Sequence, residues 1–171
     1  QSNPTAIVLT RQNLPQYPGT GLKALLGGYV LSDCEGTPDV ILIGTGSEIE
    51  ICMGAKDILA SKGRKVRVVS MPCMEEFERQ TQEYKDSVLP PAVKARVCVE
   101  AASHFAWYKY SGDCGEVIAM HSFGTSGPAK QLFEYFGFTK ENVAEKAELS
   151  ISKAAAQFNA YAAAVKASEK K

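Results

Sequence analysis

His104 and His121 are the only histidines in the chain, so any imidazole chemistry must use one of them. Glu100 stands four residues before His104, across a predicted strand-to-helix turn, and a carboxylate–imidazole pair can hold and move a proton. No Gly-x-Ser-x-Gly elbow supplies a nucleophile, and two histidines without a ladder of acids make a poor metal site. Histidines satisfied by local hydrogen bonds are the simpler reading. The loop Gly44-Thr45-Gly46-Ser47-Glu48 lies between a strand-like and a helical segment, where α/β sheets take ligands. It departs from the dinucleotide fingerprint, because the third glycine position is Ile49, and from the phosphate loop, because no Gly-Lys-Ser/Thr follows. Glu48 and Glu50 fall in the first helical turn, where they complement the helix dipole and repel a phosphate. A tight strand-to-helix turn is the role this loop implies. Arg11 follows the strand-like run AIVL (6–9), and its guanidinium fork suits a phosphate or carboxylate. A solvated surface arginine is the alternative.

The five cysteines, Cys34, Cys52, Cys73, Cys98 and Cys114, are odd in number and at least 16 residues apart. That spacing suits neither a disulfide framework nor a zinc site, and it fits a reducing compartment such as the cytoplasm. Packing is the expected role, the alternative being one catalytic thiol with His104 or His121 as its base. Phe105, Trp107, Tyr108 and Tyr110 read as core or subunit interface rather than a base-stacking platform, given the charge balance.

That balance is 19 Lys+Arg against 19 Asp+Glu over 171 residues, 45% of them hydrophobic. The chain is long enough to bury a core without staples. It has no basic excess for nucleic acid and no apolar run near the ~18 residues of a membrane span. QSNPTAIVLTRQ lacks the pattern of a signal peptide.

The elements that must position these residues alternate in period. DVILI (39–43) reads as a buried strand. Residues 47–62 read as a helix, with Ser47 and Glu50 as a capping box and Gly63 closing it. VRVVS (66–70) is a second strand, making a parallel βαβ unit. Residues 73–94 are helical in part. Residues 96–102 form a third strand, 103–112 a short helix, 116–120 a fourth strand and 128–136 a helix. In the last helix Val143, Ala147, Ile151, Ala154, Phe158, Ala162 and Val165 share one apolar face, with Thr139 as N-cap. Residues 22–26 suit a helical turn, and 29–33 an edge strand open to antiparallel pairing. The fold class is α/β, a three-layer sandwich with a mostly parallel central sheet of about five strands. AIVL breaks the alternation and reads as a strand without its neighbour.

The strings TAIVLTRQNLP (5–15), GGYVLSDC (27–34), DVILIGTGSEIE (39–50), VRVVSMP (66–72), EYKDSVLP (83–90), WYKYSG (107–112), FGTSGPA (123–129) and FEYFGFTKENV (133–143) closely resemble the C-terminal part of the transketolase family. The resemblance covers nearly all of the chain to about residue 150, and residues 158–171 depart from it, with KASEKK as a solvated tail. It implies a three-domain homodimer that uses thiamine diphosphate and a divalent Mg²⁺ or Ca²⁺. Such an enzyme moves a two-carbon glycolaldehyde unit from a ketose phosphate to an aldose phosphate, a reaction of the pentose phosphate pathway. It places residues 1–26 at the end of the pyrimidine-binding domain and its linker, and 27–171 in the C-terminal domain. The family's Gly-Asp-Gly motif, catalytic histidines and activating glutamate have no match here, so no catalytic, cofactor or metal residue is assigned. Arg11 matches the arginine that holds the sugar's terminal phosphate. On this reading the chain packs against the rest of its polypeptide and a second subunit, and alone it neither binds thiamine diphosphate nor turns over. An autonomous regulatory or dimerisation module is the alternative.

Overall fold

Short branched runs alternate with helical stripes, and the computed structural model, which describes residue 4, residues 6–10 and residues 12–168, layers them accordingly. A 3-10 turn, Leu22–Leu26, leads into β1 (Tyr29–Ser32), β2 (Val40–Gly44), α1 (Glu48–Ser61) and β3 (Val66–Ser70). Then come α2 (Met74–Glu78), α3 (Gln82–Val88), β4 (Arg96–Ser103), a 3-10 turn at Phe105–Trp107, α4 (Tyr108–Ser111), β5 (Glu116–Met120), α5 (Ala129–Tyr135) and α6 (Lys140–Ser168). The five-stranded sheet has the order β1-β3-β2-β4-β5. β1 pairs antiparallel with β3 at the edge, and the other neighbours are parallel. The expected α/β sandwich and its antiparallel edge are both observed.

Every residue of β2 is buried, as a central parallel strand covered on both faces must be. One face packs under α1 and α6 through Leu42, Val97, Leu59, Val143 and Ala147. The other packs under α2, α3 and α4 through Ile41, Val69, Phe77, Val88, Trp107 and Tyr110. Each such aliphatic side chain contributes roughly 1.5–3 kcal/mol of burial, so the domain carries its own core.

Two glycines are required by geometry. Gly27 has φ 81°, and a Cβ there would lie 2.2 Å from the Phe77 nitrogen. That close approach lets its carbonyl accept from the Cys73 N–H at 2.9 Å, tying the start of the domain to α2. Gly63, φ 80°, ends α1 as its sequence position implied, with its N–H on the Ala60 carbonyl and the Arg64 N–H on the Leu59 carbonyl.

Three local expectations need correction. Ser47 does not cap α1: it is itself helical, and its hydroxyl donates to Glu48 Oε1 at 3.0 Å. A cap must be extended to aim its side chain at the first turn, whereas here the Thr45 carbonyl already accepts from the Glu48 N–H at 3.2 Å. Residues 6–10 form no strand, and Val8 is 95% exposed. A strand needs a neighbour for its backbone groups, and among the described residues none is offered. The start of the KASEKK segment is helix rather than loose tail, since α6 runs through Ser168; residues 169–171 lie outside the described residues. Thr139 does cap α6, accepting from the Asn142 N–H at 3.2 Å.

Arg96, the first residue of β4, ties the strand beside the β5 edge to the segments that flank it. Its guanidinium donates to the carbonyls of Leu89 (3.2 Å), Pro90 (3.0 Å), Val93 (3.0 Å) and Tyr110 (3.2 Å). Its own N–H donates to the fully buried Ser150 hydroxyl at 3.0 Å, which donates in turn to the Cys114 carbonyl at 2.8 Å.

Candidate functional site

β2 leads through α1 to β3 on one side, whereas β4 lies on its other side. The chain therefore leaves the carboxyl ends of β2 and β4 in opposite directions, opening the crevice in which α/β folds take ligands. Gly44 is in register with Val99, so the Gly44–Glu48 loop and Glu100 frame that crevice. A Cβ on Gly44 would meet Cys52 Sγ at 3.2 Å and the Val99 carbonyl at 3.4 Å, which is why α1 can start so close to the sheet. Gly46, φ 56°, makes the turn.

The crevice is acidic and partly closed. Glu48 is 4% exposed, and burial pushes its carboxyl above the usual range, opposed by the Ser47 hydroxyl and its own backbone N–H. Glu100 is pushed up to about 7, first by burial and second by the charge of Glu48. The two first-turn glutamates part company: Glu50 is exposed, while Glu48 lies in the core, where burial favours its neutral form, and its neighbour across the crevice is Glu100 rather than Glu50. A diphosphate does not fit beside this pair, so none of these residues is assigned to thiamine diphosphate or its metal ion.

The second group lies where β4 and β5 end. Ser103 is in register with Met120, which brings the next residues, His104 and His121, together with ring centroids 4.5 Å apart and planes inclined by 31°. Phe105 (4.2 Å) and Tyr108 (5.5 Å) flank the His104 ring. His104 Nδ1 is buried without a hydrogen-bond partner. A groove of about 590 Å³ opens here between Ala101, Phe105, Met120 and Phe123. The Glu100–His104 pairing that their spacing allows does not form by any hydrogen bond among the described residues, and the local hydrogen bond expected of a packed histidine is missing at His104 Nδ1, which sits under aromatic rings instead. Each side chain instead meets a neighbouring strand's continuation, Glu100 beside Glu48 and His104 on His121. Both pairings depend on strand order, which local spacing does not carry.

The aromatic group divides: Trp107 and Tyr110 are core, while Phe105 and Tyr108 are exposed. All five cysteines are free; Cys52, Cys98 and Cys114 are buried and Cys73 is exposed. Burial drives the Cys52 and Cys98 thiols far above their ordinary value, which makes them inert packing groups. Arg11 lies outside the described residues. Beside it the Gln12 N–H donates to Thr10 Oγ1 at 3.2 Å. Among the described residues no three His, Cys, Asp or Glu are grouped to hold a metal ion, and no helix is long and apolar enough to cross a membrane.

A five-stranded α/β domain with an antiparallel edge and an acidic switch-point crevice defines the class, and comparison narrows it. Residues 27–139 match the family described as the transketolase-like C-terminal domain. The chain belongs to this family. It is 51% identical over 152 residues to a transketolase of Aquifex aeolicus, covering 85% of this chain and 22% of that protein. It is 50% identical over 151 residues to transketolase 1 of Escherichia coli, covering 86% and 23%. A crystal structure of Pichia stipitis transketolase in complex with sedoheptulose 7-phosphate superposes with a TM-score of 0.76 at 41% identity, over 83% of this chain and 20% of that one. The chain thus spans less than a quarter of the length of these relatives.

Proposed function

We propose that this chain is the C-terminal part of a transketolase, an enzyme that transfers glycolaldehyde between sugar phosphates with thiamine diphosphate and a divalent cation held by other parts of the molecule. The observation that carries this reading is the continuous correspondence with transketolases over 85% of the chain, set against the 22% of their length that it spans. Residues 27–171 are read as the C-terminal domain, supported by a family match that starts at residue 27. Residues 1–26 are read as the last strand and linker of the pyrimidine-binding domain. The exposed Ile7, Val8 and Leu9 are consistent with an apolar strand whose neighbours belong to that domain. The domain's contribution is packing against the rest of the polypeptide and a second subunit, and five free cysteines suit a reducing, cytoplasmic setting.

Arg11 is read as the group that grips the terminal phosphate of the sugar. A charge-assisted hydrogen bond of this kind is worth roughly 1.5–3 kcal/mol, and its role is to hold the reacting carbon in line rather than to perform chemistry. In the intact enzyme Arg11→Ala is expected to raise KM for phosphorylated sugars about ten- to a hundredfold and to leave unphosphorylated substrates nearly unaffected. Steady-state kinetics on paired substrates checks this, and equal effects on both would remove Arg11 from the phosphate site.

A further inference from the structure

The segment that joins Arg11 to the domain is fastened to it. Tyr17 is half-buried and packs on the core cluster that α1 and α6 cover. Burial first, then the charges of Glu50 and Asp57, push its hydroxyl above the ordinary value. Those two acids stand seven residues apart, two turns along one face of α1. The Tyr17 carbonyl accepts from the Thr20 N–H at 3.0 Å and from the Thr20 hydroxyl at 2.7 Å, which closes a tight turn over Pro18 and Gly19. Gly19 then lies against β1. A Cβ there would stand 2.2 Å from the Leu31 carbonyl oxygen, at the point where the register of the β1–β3 pair breaks. Upstream, Leu14, Pro15 and Tyr17 border a small cavity with Ile49 and Glu50, and Gln12 borders a second hollow with the same Glu50. Residues 12–19 are thus laid across the first turn of α1 and end on the edge strand.

We propose that this seat makes Gly19 and Tyr17 positioning residues for the phosphate grip of Arg11. The inference rests on the reading of Arg11 given above. Gln12 is joined to Arg11 by one peptide, a Cα–Cα step of ~3.8 Å, so a shift of the seated segment is carried to the root of the Arg11 side chain. Pro15 and Pro18 each lock one backbone dihedral, which stiffens the link between the seat and Arg11. Gly19 answers a need for space rather than for a left-handed backbone, since its φ is not positive. Any side chain there must push the segment off β1 by about 1 Å to regain ordinary contact with Leu31. A displacement of ~1 Å far from the chemistry can cost on the order of a hundredfold, and the long arginine side chain absorbs part of it.

Steady-state kinetics of the intact enzyme tests this. Gly19→Ala is expected to raise KM for phosphorylated sugars about five- to tenfold, with kcat and the KM of unphosphorylated substrates within about twofold. In the Arg11→Ala background the same change is expected to add nothing, because the group it positions is gone. Tyr17→Ser is expected to repeat the pattern, and Tyr17→Phe, which keeps the ring on α1, to match the wild type. Equal losses on both kinds of substrate would overturn the proposal, as would a Gly19→Ala effect that multiplies fully with that of Arg11→Ala; the seat would then be general support. Wild-type KM values in both Gly19→Ala and Tyr17→Ser would overturn it too. An Arg11→Ala enzyme that loses equally on both substrates is a different failure, which removes the phosphate reading and the proposal with it.

Discussion

Glu100→Gln is expected to stabilise the domain at about pH 8 and to leave it almost unchanged at about pH 4. The Glu100 carboxyl has an ordinary value of 4.5 and is held at about 7 in the fold by burial and by the neighbouring charge of Glu48. The folded chain therefore binds this proton more tightly than the unfolded chain. The stability it contributes is fully present below about pH 4.5 and is lost as pH rises through 7. Each tenfold difference in proton affinity between the two states is worth about 1.4 kcal/mol, so the wild-type domain is expected to lose about 2–3 kcal/mol across this window through Glu100. Glutamine keeps the shape of the protonated acid without a proton to lose. Urea midpoints of the two proteins, measured at half-unit pH steps, should coincide in acid and separate above neutrality. Curves that stay parallel from pH 4 to 8 would mean that Glu100 ionises freely. Glu48→Gln offers an internal control, since removing its charge should move the Glu100 transition downward without abolishing it, burial being the larger cause.

Arg96→Met is expected to cost about 3 kcal/mol, and Arg96→Lys to recover only part of that loss. Methionine keeps the apolar stem but removes donors from four carbonyls, those of Leu89, Pro90, Val93 and Tyr110. Bonds to a charged donor are worth ~1.5–3 kcal/mol each but do not add. Lysine restores the charge as a point rather than a planar fork, so it cannot reach all four acceptors. No carboxylate pairs with Arg96 among the described residues. Its charge is met instead by backbone carbonyls, those of Leu89 at the C-cap of α3, of Pro90 and Val93 in the loop that follows, and of Tyr110 in α4. Chemical denaturation of the three proteins checks the order. A loss below about 1 kcal/mol for methionine would show that the segments on either side hold together without this staple.

Neither effect could be read from the amino acids alone, and the reason is the same for both. Local spacing identifies DVILI, VRVVS and EVIAM as strands because each is a short branched run between turn residues, and it identifies α6 from its apolar stripe and Thr139 cap. Those signals are written within a dozen residues. Glu48 falls correctly in the first turn of α1, but its burial follows from β4 lying beside β2 rather than beside β3, a choice no local pattern carries. Arg96 has the look of an ordinary strand-opening residue, and its acceptors come from segments up to fourteen positions away. The stripe of α6 marks the helix but not where its cover ends. AIVL shows the same dependence on partners: the run has strand composition, yet residues 6–10 are not in a strand here, because strand formation is a property of a pair and no neighbour lies among the described residues. The histidines show the limit most clearly, since spacing sets His104 against Glu100 and the sheet sets it against His121.

On the function proposed above, this chain acts as one part of a transketolase polypeptide and not as an enzyme or a regulator in its own right. The direct measurement is the mass of the native polypeptide that carries this sequence in its source cells, detected with an antibody raised against the C-terminal domain. A band about four times the 18.5 kDa of this chain is predicted, in line with a relative of which 152 aligned residues make up 22%. A band at 18.5 kDa would contradict that reading, and the acidic crevice between Gly44 and Glu100 would then be where a ligand of its own should be sought.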